Sequence, residues 1–386
     1  MTDTLPKWVD IALIPLVNVT LALIVSGIVV ALIGENPFEA LRILVNGAIG
    51  SAYGWGYTLY YMTNFVFTGL GVAVAFHARM FNIGGEGQAA LGGLGVALCL
   101  LFIPWPHWSI ALIAAIFGAA LFGAAWAAIP AYLQAKRGSH IVITTIMFNF
   151  IASALMVYLL SRVLLVPGAG GSPETARFVE AVHLPNAATV LPFMGFPRST
   201  PLNISFAVAI LACFFVWWLI WRTRIGYEIR AFGHAAPAAI YAGIAPVRIT
   251  MIAMLISGGL CGMMAINSVM GEAERLVIDP VQGAGFVGIA VALMGRSHPV
   301  GVALAALLFG MLYQGGAELE FEIPGISREM VIVIQALVIL FTGALDNMVR
   351  GPLEKAFVAR RKRPSKPEPT TPLEAGGHPE RKQVEP

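Results

Sequence analysis

The sequence predicts an all-α protein that crosses a membrane about ten times, and three observations lead there. Hydrophobic residues make up 58% of the chain and charged ones only 12%, against about 25% charged in an ordinary soluble domain. The apolar residues gather in runs close to the roughly 20 residues that a helix needs to span hydrocarbon. Charges fall between those runs and sort by sign from one connection to the next. Length alone would suggest two or three soluble domains, but runs of this kind override that reading.

Residues 9–33 form the first predicted span. Its only preceding basic residue is Lys7 and no secretory cleavage pattern follows, so it is expected to stay in the membrane. Residues 34–56 are partly polar, with a short interfacial helix over 38–49. The second span, 57–76, opens on Tyr57, Tyr60 and Tyr61, which suit the membrane–water boundary; Tyr57, Tyr60 and Phe65 are also able to stack a flat base near an outer mouth. A glycine-rich break at 81–88 precedes the third span, 89–103. Trp105, Pro106 and Trp108 turn the chain into a fourth span at 109–134, and a fifth covers 141–166. Residues 167–201 are too polar and too rich in Pro and Gly to span, which makes them an exposed loop. The sixth span, 203–221, closes on Trp217, Trp218 and Trp221, and residues 222–248 are the longest internal polar stretch. Spans at 249–270, 283–295, 300–315 and 331–348 complete the set.

Basic residues near span ends set the orientation. A cytoplasmic N-terminus puts Arg79, Lys136, Arg137, Arg222, Arg224, Arg230, Arg248, Arg296 and the basic tail from Arg350 inside. The acidic stretches 272–279 and 318–329 then lie outside. Ten spans with both termini cytoplasmic satisfy every assignment, whereas nine strand the acidic loops or the tail on the wrong side. Residues 1–349 therefore form the transmembrane domain. Residues 350–386 are a basic tail, almost without large apolar side chains beyond Pro364 and expected to be disordered. Cys99, Cys213 and Cys261 sit in separate runs without ligand spacing and read as small buried residues; no metal site is expected. GLGVAL at 93–98 is echoed by GIAVAL at 288–293, five spans later, so the copies lie in opposite orientations, as in an inverted repeat.

Two readings of the break at 81–88 stay open on the residues alone. Gly84, Gly85 and Gly87 release the backbone from helical geometry by tolerating positive φ, while Asn82, Glu86 and Gln88 bring polar groups beside hydrocarbon. Such a break is tolerated where it is buried in protein or lines a watery pathway. The alternative is a tight cytoplasmic turn, with the Glu86 charge near the N-terminus of the next helix. Asn64, Thr68, Thr145 and Asn267 are further polar groups inside spans; for Asn64 and Asn267 interhelical hydrogen bonding is the preferred reading.

FNIGGEGQ at 81–88 resembles the FNIGxEGQ signature of permease subunits of ATP-binding-cassette (ABC) importers in the ribose/branched-chain amino acid permease superfamily. ITTIMFNFIA at 143–152, GYEIRAFGHAAPAAIYAGI at 226–244 and GIAVALMGRSHPVG at 288–301 are similar, in that order, to three further segments of its nucleoside branch. The resemblance implies a permease translocating a nucleoside or similar small polar solute. The alternatives are a monosaccharide such as ribose or, from another class, a passive solute channel. It implies a substrate pathway through Asn82, Glu86, Gln88, Thr144 and Asn149; Gln282 is a further candidate as a polar group among the spans. On the residues alone, 235–241 is a short cytoplasmic-face helix between the breakers Gly233 and Gly243, presenting Ala236, Ala239, Ile240 and Tyr241 either to lipid headgroups or to a partner; the resemblance implies that 222–248 docks on an ATPase. No GxxxxGK followed by Ser or Thr occurs, so the chain is expected to be no enzyme and to bring no cofactor, ATP and magnesium being used by a partner ATPase. A second, different permease chain, an external solute-binding protein or lipoprotein and the bilayer are the other implied partners. Nucleic acid is not among them. The implied location is a bacterial cytoplasmic membrane.

Overall fold

The computed structural model describes residue 9, residues 13–165 and residues 173–340. The tail at 350–386 and the second half of the last predicted span lie outside the described residues. Fourteen α-helices follow in order among those described. They are α1 Ile14–Leu32, α2 Pro37–Ile49, α3 Ala52–His77, α4 Gly85–Phe102, α5 Trp108–Arg137, α6 Ile141–Tyr158 and the single turn α7 Ala187–Val190. After these come α8 Ser205–Arg222, α9 Arg224–His234, α10 Ala236–Tyr241, α11 Pro246–Met263, α12 Ala284–Met294, α13 Pro299–Glu322 and α14 Arg328–Ile339. Seven helical stretches among the described residues are long and apolar enough to cross a membrane, and α1 and α12 contain shorter apolar ones. With α14, a helix stands at each of the ten predicted span positions.

Local chemistry explains most boundaries. The Asn36 side chain accepts from Phe38 N at 3.0 Å, with Pro37 at the first turn, and so starts α2. Ser51 does the same for α3, accepting from Gly54 N at 3.0 Å, which starts that helix well before the predicted residue 57. Lys136 and Arg137 sit in the last turn of α5, where cations suit the helix dipole, and Gly138 ends it at φ +70°. Beyond α11 the helix widens into a π-helical stretch, Ile266–Ala273. Asn267 in that stretch donates to Tyr60 O at 3.0 Å and Asn64 Oδ1 at 2.8 Å and accepts from Ser205 Oγ at 2.7 Å, binding α3 and α8 to it.

The packing is reciprocal. α11 lies along α5 and α4, while α3 lies along α13 and α12, the exchange expected of an inverted repeat. The echo found in the sequence sits one turn deeper in α4 than in α12. Small residues let the helices touch: a Cβ added at Gly258 would meet Gly123 O at 2.6 Å, and one at Gly262 would run into Ala119 O. Gly258 and Gly262 form a GxxxG face, the spacing that brings helix backbones together where lipid offers no hydrophobic driving force.

Polar connections collect at two opposite ends. At one, Thr175 N bonds Leu276 O at 3.0 Å, Arg275 pairs with Glu174 at 2.6 Å, and Tyr60 donates to Glu272. At the other, His77 meets Ser297 O at 3.0 Å and stacks edge-on against Trp221.

Candidate functional site

Residues 81–88 form a buried hydrogen-bonded lock. Asn82, fully buried, donates to Gln88 Oε1 at 2.9 Å and to Ser257 Oγ of α11 at 2.8 Å. Its own Oδ1 accepts from Gly84 N at 2.9 Å and Gln88 Nε2 at 3.1 Å. Asn149 of α6 closes the other side, accepting from Gly87 N and donating to Ile83 O, both at 2.9 Å. Thr145 Oγ1 accepts from Ile83 N at 3.4 Å. Gly84 and Gly87 serve close approach rather than positive φ: a Cβ on Gly84 would meet Gln88 Nε2 at 2.7 Å, and one on Gly87 would meet Asn149 Oδ1 at 3.1 Å. The left-handed residue in this turn is Arg79, at φ +54°. Helix α4 starts at Gly85, earlier than the predicted residue 89, with Asn149 accepting from Gly87 N in its first turn.

Glu86 stands in that first turn, yet its carboxylate caps a different helix. It accepts from Gly283 N at 2.8 Å and Gly285 N at 2.9 Å, the opening of α12. A Cβ on Gly285 would strike the Glu86 backbone, so the first turns of α4 and α12 abut. Two N-terminal dipoles, each equivalent to about half a positive charge, thus meet around one carboxylate.

The remaining pathway candidates separate. Glu86 and Asn149 line a cavity of about 230 Å³ with Ser153 and Asp279. Gln282 lines another, of about 270 Å³, walled by Tyr60, Tyr61, Phe65 and Tyr313 and edged by Glu272. Pro280 and Val281 border both, so the segment holding them is the partition. Thr144 lines neither; its hydroxyl donates to His140 O and Ile141 O of its own helix. Glu272 and Tyr313 were not singled out from the sequence, where they read as a loop acid and a span aromatic.

The coupling candidate is a helix pair. Gly233 packs where a Cβ would collide with His77 O, which ties α9 to the end of α3. Arg224 pairs with Glu228 at 3.1 Å, and Arg248 approaches the same carboxylate at 3.8 Å. The predicted short helix is present as α10, ended by Gly243 at φ +86°. One expectation is corrected: Ala239 does not face out but is buried, 4% exposed, against α9. Ala236 is half-buried, and the projecting residues are Ile240, 52% exposed, and Tyr241, 97% exposed. In a helix of fewer than two turns, the sequence shows no periodicity to tell these faces apart.

Comparison with known proteins gives consistent matches. A family model described as the permease component of branched-chain amino acid transport systems matches residues 54–343. The guanosine ABC transporter permease protein NupP of Bacillus subtilis is 33% identical over 89% of this chain and 97% of its own length. The glucose ABC transporter permease protein TsgB13 of Haloferax volcanii is 32% identical, covering 88% of each chain. The nucleoside ABC transporter permease protein NupB of Lactococcus lactis is 32% identical over 85% of this chain and 90% of its own.

Proposed function

The chain belongs to the branched-chain amino acid transport permease family and is a membrane-spanning permease subunit of an ABC importer; from that premise we propose that it translocates a nucleoside or a similar small polar solute. The observation that carries the substrate reading is the cavity of about 270 Å³, where tyrosine and phenylalanine faces stand beside Glu272 and Gln282. Ring faces suit a planar base, and the polar edge suits ribose hydroxyls. The guanosine and nucleoside permeases among the relatives support the same reading. A monosaccharide is the second reading, favoured by the similarity to the glucose permease.

The assembly comprises two permease chains, of which the second is a different polypeptide, an ABC ATPase that hydrolyses ATP with magnesium, and an external solute-binding protein. Both termini face the cytoplasm of a bacterial cell, and residues 1–349 form the membrane domain with 350–386 as its tail. Asn82 and Gln88 hold the pathway walls together, while Glu86, Asn149 and Gln282 meet the solute-accessible cavities. Thr144 stays a pathway candidate, by resemblance to the nucleoside branch.

Tritiated adenosine uptake, with glucose as competitor, tests the substrate. Uptake should require this chain and ATP, and excess glucose should not reduce it. Competition by glucose at wild-type affinity selects the monosaccharide instead, and uptake that persists after ATP depletion contradicts an importer.

Coupling runs through α10. The exposed Ile240 and Tyr241 enter the ATPase groove, and movement reaches α3 through the contact of Gly233 with His77. Tyr241→Asp should therefore weaken ATPase co-purification by about tenfold or more, as loss of an interface hot spot does. Permease abundance should stay unchanged, because the side chain touches little of its own chain. Wild-type co-purification and uptake in this variant would remove Tyr241 from the contact.

A further inference from the structure

On one helix the aromatic residues make a line that the interfacial reading does not account for. Tyr53, Tyr57, Tyr61 and Phe65 stand four apart on α3, and successive ring centroids lie 4.8, 6.5 and 6.5 Å apart. These spacings fall within the range at which aromatic rings pair. Exposure falls along the line: Tyr53 is 39% exposed, Tyr57 and Tyr61 are half-buried, and Phe65 is 1% exposed. Tyr313 of α13 closes the inner end, 4.9 Å from Phe65 and edge-on to it. Aromatic belts occupy one level of a membrane, at the headgroups. At a rise of 1.5 Å per residue, this line descends about 18 Å along the helix axis.

We propose that Tyr53, Tyr57, Tyr61 and Phe65 form a stacking track that receives the planar base of a nucleoside at the protein surface and conducts it into the cavity beside Glu272 and Tyr313. The inference rests on the nucleoside reading given above. The first two pairs are tilted, by 45° and 41°, and the third is stacked at 18°; successive rings lie close enough for the base to reach the next as it leaves the last, so it passes inward without returning fully to water. Stacking tolerates any base, because every base has a π face. The track therefore admits purine and pyrimidine nucleosides alike, while the polar edge of the cavity meets the sugar. The neighbouring Tyr60 is off the line, with its hydroxyl committed to the Glu272 carboxylate. It holds the π-helical stretch against α3 and is not a stacking partner.

Uptake kinetics of tritiated adenosine by the whole importer test the track, with membrane abundance measured in parallel. Tyr61→Leu should raise KM about tenfold, the size of effect that losing one base–aromatic stack produces. Tyr61→Phe should stay within about twofold, since the ring and not the hydroxyl is required. A Tyr61→Leu variant of normal abundance and unchanged KM overturns the track while leaving the nucleoside reading intact. A wild-type importer that takes up no adenosine overturns that reading, and the track with it. Photolabelling of the wild-type complex with azidoadenosine serves where Tyr61→Leu folds poorly. Label is expected on the peptide that carries Tyr57 and Tyr61, and label confined to other peptides rejects the proposal.

Discussion

Replacing Glu86 with leucine is expected to abolish uptake and to deplete the folded chain from the membrane. The carboxylate is the acceptor for Gly283 N and Gly285 N. Leucine leaves the buried Gly285 N and the half-buried Gly283 N without that partner, at up to about 1–3 kcal/mol each. It also removes the negative group between two helix N-termini whose partial positive charges then face one another. A loss of roughly 2–6 kcal/mol is a large part of the 5–15 kcal/mol that typically holds a folded domain. Glu86→Gln keeps one acceptor oxygen but turns an amide donor towards the second N–H, so it should fall between. Gel filtration of detergent extracts, followed by uptake in the same cells, measures both effects. A Glu86→Leu chain that accumulates and transports normally would show that the contact between α4 and α12 is dispensable.

Gly262→Ala should rival it, although it adds a single methyl group. The new Cβ would run into Ala119 O and lie 3.1 Å from Gly123 Cα, with backbone rather than a movable side chain in the way. Overpacking costs about 1–3 kcal/mol even where side chains are able to yield. Here α11 would have to move away from α5, and the Asn82–Ser257 bond at 2.8 Å would be strained with it. Gly27→Ala is the matched control, because its Cβ meets nothing nearer than Pro37 Cβ at 3.5 Å. Thermal unfolding of the two purified variants should separate them clearly. Equal melting temperatures would mean that α5 and α11 pack less tightly than this geometry requires.

Hydropathy made the spans legible, because each helix must be apolar along its length whatever it touches. The start of α4 was not legible. Three glycines in four residues argue against a helix, and only contacts with Asn149 and Gln88, distant in sequence or a turn away, explain why one begins there. The candidate site was visible as residue types but not as a division of labour. Asn82 and Glu86 look alike as polar groups beside hydrocarbon, yet one is locked inside and the other reaches across to α12. The aromatic line on α3 was present in the spacing of four. It was masked by a boundary role that explains any tyrosine near the start of a span.

The bond between Glu86 and Gly283 also imposes an order on biogenesis. Its partners are 197 residues apart, and at about 5–20 residues per second a ribosome needs roughly 10–40 s to make that length. Throughout that interval the first repeat waits in the bilayer with the cap of its future counterpart already made and nothing to cap. Any pause before Gly283 is made lengthens that wait.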